Sequence, residues 1–130
     1  MAEAVQTEVR KLAYVAAITE GVRTVMAEQP TAFIAGEDVA GAGGVYGYYN
    51  GILKEFGADR VFDTPISEEG IVGLGVGAAA TGCRPIIDLM FMDFLGECMD
   101  EVANQLAKMR YMFGGAATLP VTMLTMAGAG

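Results

Sequence analysis

The chain has 130 residues, 53% of them apolar and only 18% charged, enough for one domain with its own core and with apolar surface left for a partner. Eight Lys and Arg against sixteen Asp and Glu give a net charge of −8, which lacks the basic footprint of a nucleic-acid binder. Histidine is absent, so this chain alone cannot make a Ser/His or Cys/His catalytic pair.

Residues 1–11 are polar and read as an arm; Glu3, Glu8, Arg10 and Lys11 interrupt any secretory apolar region. No run reaches the roughly 18 apolar residues of a membrane span, so the expectation is a soluble protein of the cytoplasm or of an organelle matrix, with no membrane partner. From Tyr14 to Glu28 the positions Val15, Ile18, Val22, Val25 and Met26 recur at helical spacing, and Pro30 stops the run. Thr31 to Ala35 reads as a strand buried on both faces. It ends at Gly36-Glu37-Asp38, and the stretch Gly41 to Gly51 is too rich in glycine and tyrosine to be anything but a long loop. Its tyrosines either recognise a ligand or pack the loop on itself. Ile52 to Phe56 makes a short helix closed by Gly57.

Arg60-Val61-Phe62 is a second strand, and Thr64-Pro65 ends it because proline cannot donate to a ladder. Ser67 is expected to cap a following helix whose first turn holds Glu68 and Glu69, the charge sign a helix N-terminus favours. This strand, turn and helix put a carboxylate at the C-terminal edge of a sheet, where open α/β sheets bind ligands. Gly73, Gly75 and Gly77 each weaken that helix by about 1 kcal/mol, so close approach of another backbone must compensate. Gly73-Leu74-Gly75-Val76-Gly77 is no dinucleotide fingerprint, because it sits inside a helix rather than directly after a strand. An interface helix packed through Gly73, Gly77 and Ala80 is the expectation.

Arg84 to Leu89 is a third strand, and Leu95, Cys98, Met99, Val102, Leu106 and Met109 mark an amphipathic helix over 95–112, ended by Gly114-Gly115. Cys83 and Cys98 lack metal-site spacing and read as small buried hydrophobes of a reducing compartment. Pro120 to Met126 is a fourth strand, followed only by glycine and alanine where a covering helix is expected, so the domain reads as cut short. The alternation predicts an α/β fold: a mostly parallel sheet with helices on both faces, strands near 32–35, 60–63, 84–89 and 120–126, and helices near 14–28, 70–81 and 95–112.

Gly36-Glu37-Asp38, Asp63-Thr64-Pro65-Ile66-Ser67-Glu68, Gly82-Cys83-Arg84-Pro85, Leu89 to Phe94 and Arg110 to Gly115 stand in one order and spacing. Together they resemble the β subunit of the thiamine diphosphate-dependent first component of 2-oxo acid dehydrogenase complexes, over the pyrimidine-binding, transketolase-like domain only. The runs at Arg110 to Gly115 and Thr125 to Gly130 look most like the acetoin-cleaving branch, with the pyruvate branch next. The resemblance implies that Glu68 is the catalytic acid at N1′ of the aminopyrimidine. A carboxyl group there favours the imino form, whose exocyclic nitrogen takes the proton from C2. It implies ring contacts from Ile66, Met90 and Phe94, a proton-relay acid at Glu37, and a monovalent cation such as K+ on the carbonyl of Val121.

It implies three kinds of partner as well: an α subunit that holds the diphosphate through Mg2+, a second β chain in a heterotetramer, and the acyltransferase core of the complex. The family's catalytic histidine has no counterpart in a chain without histidine. Half a cofactor site is the expectation, inactive alone. From the residues alone, a flavodoxin-like nucleotide or flavin domain and a cofactor-free dimerising piece stay open.

Overall fold

In a computed structural model of the chain, residues 9–128 are described; the expected arm lies outside them as far as residue 8, as does the last stretch of the glycine loop from residue 129. Four strands, β1 (Ala32–Gly36), β2 (Val61–Asp63), β3 (Arg84–Phe91) and β4 (Thr122–Met126), form one sheet in the order β2-β1-β3-β4. Every pairing is parallel. The α-helix α1 (Tyr14–Glu28) precedes β1, α2 (Ile52–Phe56) and α3 (Glu68–Ala80) each connect two strands, and a longer helical connection between β3 and β4 ends in α4 (Ala107–Met112).

Period-two alternation along the strands sorts the core into two layers. Ala32, Ile34, Val61 and Ile86 pack with Val22 and Met26 of α1, Ile52 of α2 and the loop tyrosines Tyr48 and Tyr49. Ala35, Ile87 and Leu89 pack with Ile71 and Val72 of α3 and with Cys98. Helices therefore cover both faces. The glycines of α3 serve this packing in part: a Cβ at Gly75 would lie 2.7 Å from Cγ1 of Ile87, so the helix can approach β3 only without a side chain there. Gly77 has nothing within 4 Å of that position, and Ala80 is exposed.

Arg60 joins three elements. Its Nε donates to the carbonyl of Ala32 at 2.8 Å, and one Nη donates to the carbonyls of Met26 at 2.7 Å and Gln29 at 2.8 Å. The last carbonyls of α1 have no partner within the helix, so the guanidinium serves as its C-terminal cap while tying it to β1. We expect Arg60→Ala to cost about 3 kcal/mol, because several half-buried acceptors lose a charged donor at once. Arg60→Lys should recover less than half, since one ammonium cannot span three carbonyls. Urea unfolding of the two variants measures both.

Four local expectations are corrected. Ser67 makes no side-chain cap; its Oγ lies 2.6 Å from where Gly70 would carry a Cβ, over that residue rather than in line with an N–H, and only its carbonyl joins the helix by accepting from Ile71 at 2.8 Å. The helix starts at Glu68, with Glu68 and Glu69 in its first turn as expected, and this moves the expected bound at residue 70 by two residues. The stretch expected as one α-helix over 95–112 begins as a 3-10 helix at Met92–Cys98, where Gly96 weakens the α form, and widens to π-helical turns over Glu101–Leu106. There the carboxylate of Asp100 accepts from the side-chain amides of Asn104 at 2.6 Å and Gln105 at 3.3 Å. The fourth strand starts at Thr122, because Pro120 has no N–H to give and the N–H of Val121 turns back to Leu119 at 2.8 Å.

Candidate functional site

At the C-terminal edge of the sheet the ends of β1 and β3 and the first turn of α3 meet around a narrow cleft with essentially no room for a water molecule, lined by Glu37, Glu68, Ile71, Asp88, Leu89 and Met90. Glu37 follows directly on β1, and Glu68 is the first residue of α3, half-buried. Leu89 and Met90 come from the end of β3, where the register to β4 slips between Asp88 and Phe91. Met90 takes a left-handed backbone with φ 57°, rare for such a side chain. A bulge of this kind re-aims a side chain, and this one sits on the cleft wall.

The long loop closes over the other side of the same edge. Asp63, the last residue of β2, accepts from the backbone N–H of Ala40 at 2.7 Å and of Gly41 at 3.0 Å, fixing the loop where it leaves β1. Tyr48 and Tyr49 are 1% exposed and meet edge to face with ring centroids 4.6 Å apart. Of the two readings of the loop, self-packing therefore holds for these tyrosines, while Tyr46 stays exposed. The Tyr48 hydroxyl donates to Oδ2 of Asp88 at 2.7 Å, and burial followed by that bond pushes its pKa up.

No lysine or arginine is among the cleft residues, so its acids act on one another. Partial burial, then the charge of Glu68, then that of Asp38 push the Glu37 carboxyl up. Burial and then Glu68 push the Cys98 thiol up as well, so that free, buried cysteine is a poor nucleophile. A raised carboxyl gives stability that is complete below its ordinary pKa and is lost as pH climbs through the raised folded value. Glu37→Gln is therefore expected to raise Tm slightly at about pH 7 and to leave it unchanged at about pH 4. Thermal unfolding at the two pH values checks the sign.

Of the residues singled out in the sequence, the cleft brings together Glu37, Glu68 and Met90. Ile66 stands outside it, 80% exposed on the turn between β2 and α3. Phe94 also stands outside, in the 3-10 helix and edge-on to Phe91 at 6.0 Å. Val121 packs its side chain beside Gly75 and into the α3-side core. The described residues hold no group of three His, Cys, Asp or Glu arranged for a metal ion. Asp88, Leu89 and Ile71 complete the walls and were not foreseen. The signal for Asp88 was present, since an acid within Ile86-Ile87-Asp88-Leu89 breaks an otherwise apolar run expected to be buried on both faces.

The family model for the transketolase pyrimidine-binding domain matches residues 10–130. The chain belongs to that family. It is 48% identical over 126 residues to the β subunit of acetoin:2,6-dichlorophenolindophenol oxidoreductase of Bacillus subtilis, covering 88% of this chain and 37% of the relative. The corresponding subunit from Cupriavidus necator is 46% identical, with 93% of this chain and 38% of the relative covered. The β subunit of the pyruvate dehydrogenase E1 component of Bacillus subtilis is 43% identical, with 92% and 37% covered. The chain thus spans a little over a third of the length of these curated relatives. As a member of the family it has the all-parallel α/β sheet expected of a pyrimidine-binding domain, with the cleft at its C-terminal edge.

Proposed function

We propose that the chain is the pyrimidine-binding domain of a β-type subunit that, with an α-type partner, completes a thiamine diphosphate site for cleavage of acetoin or oxidative decarboxylation of pyruvate. One observation carries the reading: Glu68 stands half-buried in the first turn of α3, on the wall of a cleft whose apolar side is Ile71, Leu89 and Met90. The residues fit the aminopyrimidine end of the cofactor, which needs one carboxyl facing a ring nitrogen and apolar surface for the rest of the ring. They do not fit the diphosphate end, because three acids and no cation line the cleft. The same acidity opposes a nucleotide or flavin phosphate here. The diphosphate and its Mg2+ are therefore assigned to the α-type partner.

When bound, thiamine diphosphate supplies a nucleophilic carbon at C2 and an electron sink for breaking the bond beside a carbonyl. Glu68 holds a proton at N1′ in this reading, and Ile71, Leu89 and Met90 keep water from it. Glu37, beside Glu68, is the acid that relays protons toward a second active site. Ile66 and Phe94 reach the ring only if the partner's presence draws their segments inward. A K+ ion on the Val121 carbonyl belongs to the same reading, as do a setting in the cytoplasm and docking to an acyltransferase core. The greater identity to the acetoin-type subunits favours acetoin over pyruvate.

Two exposed surfaces support a partnered chain. Tyr111, Met112 and Phe113 are 89%, 72% and 62% exposed in succession at the end of α4. On α3, Gly77 and Ala80 face open space, as a helix does when it awaits another backbone. Gly77→Ala should then have opposite effects in two measurements. It should stabilise the fold by about 1 kcal/mol, the helix propensity gained, and weaken self-association in sedimentation because the Cβ enters the interface with the second β chain. A gain in both would remove that interface.

Calorimetric titration with thiamine diphosphate and Mg2+ tests the proposal. The complete subunit assembled with an α-type partner should bind, and neither alone should. Equally tight binding by the β-type subunit alone would defeat the shared-site reading.

A further inference from the structure

Among the described residues Asp88 is the charged side chain buried in the core, at 1% exposure, and no cation accompanies it. Both of its oxygens are used. Oδ2 accepts from the Tyr48 hydroxyl at 2.7 Å, and Oδ1 accepts from the backbone N–H of Met90 at 2.7 Å. The first bond reaches forty residues back along the chain into the glycine and tyrosine loop, and the Tyr48 carbonyl in turn accepts from Thr19 of α1 at 2.8 Å. The second spans only two residues, and it falls where β3 leaves regular register and Met90 adopts φ 57°. A side-chain acceptor two residues upstream draws the backbone out of the ladder, and it compensates for a conformation that a non-glycine residue resists.

Gly36 completes the seat. It is the register partner of Asp88 in β1, and a Cβ on it would lie 2.6 Å from the Asp88 carbonyl oxygen and 2.9 Å from the Asp88 Cβ. Asp88 is therefore held at its backbone by Gly36 and at Oδ2 by Tyr48, which α1 anchors in turn through Thr19, while Oδ1 holds Met90.

We infer that Asp88 is a positioning residue for the cleft: it fixes Met90 in the left-handed conformation that sets this side chain on the wall beside Glu68, and Tyr48 fixes Asp88. The consequence for cofactor binding rests on the pyrimidine-site reading. The link from Asp88 to Met90 does not.

The test compares three variants of the full subunit in its assembly, with methionine methyls labelled by 13C and the Met90 signal assigned by its loss in Met90→Ala. The double variant Tyr48→Phe with Asp88→Val replaces both members of the buried pair by apolar groups, so only the N–H of half-buried Met90 loses its acceptor and the fold survives. It should retain the wild-type Tm to within a few degrees, move the Met90 methyl signal, and weaken thiamine diphosphate binding roughly tenfold, about the worth of one hydrogen bond to a charged group. Asp88→Asn keeps an acceptor for the Met90 N–H and should restore both the signal and the affinity.

A double variant that leaves the Met90 signal at its wild-type position overturns the inference. So does one that moves the signal without weakening binding, provided Met90→Ala does weaken it. If Met90→Ala leaves the affinity unchanged as well, the pyrimidine-site reading has failed, and the Asp88–Met90 link is decided by the methyl signal alone.

Discussion

Replacing Gly36 by alanine is expected to lower the melting temperature by roughly 10 °C, the effect of about 3 kcal/mol in a domain of this size. The added Cβ would stand 2.6 Å from the carbonyl oxygen of Asp88, a backbone atom that no rotamer change can move aside. Either β1 and β3 separate or Asp88 shifts, and with Asp88 go its bonds to Tyr48 and Met90. The damage therefore spreads from one contact to the sheet centre, the loop and the cleft. Differential scanning calorimetry of Gly36→Ala beside Gly77→Ala measures it, since the second glycine has open space where the first has none. Equal melting temperatures in the two variants would mean that β1 does not approach β3 this closely.

The parallel sheet and α1 were legible in the sequence because each depends on burial pattern alone. Ala32 to Ala35 is a continuous apolar run, Pro85 to Leu89 is one broken only by Asp88, and Val22 and Met26 mark the buried stripe of α1. The stretch after β3 shows where that signal stops. Leu95, Cys98, Val102 and Leu106 do share one buried side, while Met99 of the same expected stripe is exposed and the backbone passes from 3-10 to π-helical turns. Side-chain periodicity reports which residues face the core, and it is nearly blind to which carbonyl each N–H chooses. The Ser67 cap failed for a related reason: the residue type permits a cap, but the backbone angles entering α3 point the hydroxyl elsewhere.

The site was legible to different degrees. A carboxylate at Glu68 follows from position, at the start of a helix on the ligand-binding edge of the sheet, while Glu37 and Met90 were singled out through the resemblance. Asp88 was marked as a buried acid by its apolar run, but its role was not legible, because its partners lie forty residues upstream in Tyr48 and two downstream in a bulge that no spacing rule announces. The interface was read onto Gly73, Gly77 and Ala80, yet a Cβ at Gly73 would meet Glu101 of the same chain at 3.7 Å and Gly75 serves Ile87, so that Gly77 and Ala80 are left facing outward. Pattern showed that something had to come close, and only the fold distinguishes its own strand from a partner.

The largest expected effect on chemistry is that of Glu68→Gln. Glutamine has the shape of glutamate and can hold the first turn of α3, so folding and assembly should be nearly unchanged, but an amide cannot pass a proton to and from N1′. A positioned acid of this kind contributes at least about a hundredfold, and the loss should appear in the step that removes the C2 proton. Glu69→Gln is the control, since Glu69 shares the helix turn and its dipole but is exposed and outside the cleft. The decisive measurement is the rate of hydrogen–deuterium exchange at C2 of thiamine diphosphate bound to the assembled enzyme. Exchange should be at least about a hundredfold slower in Glu68→Gln and unchanged in Glu69→Gln. Exchange as fast in Glu68→Gln as in the wild type would reduce Glu68 to a helix-start residue and contradict the assignment of the cleft.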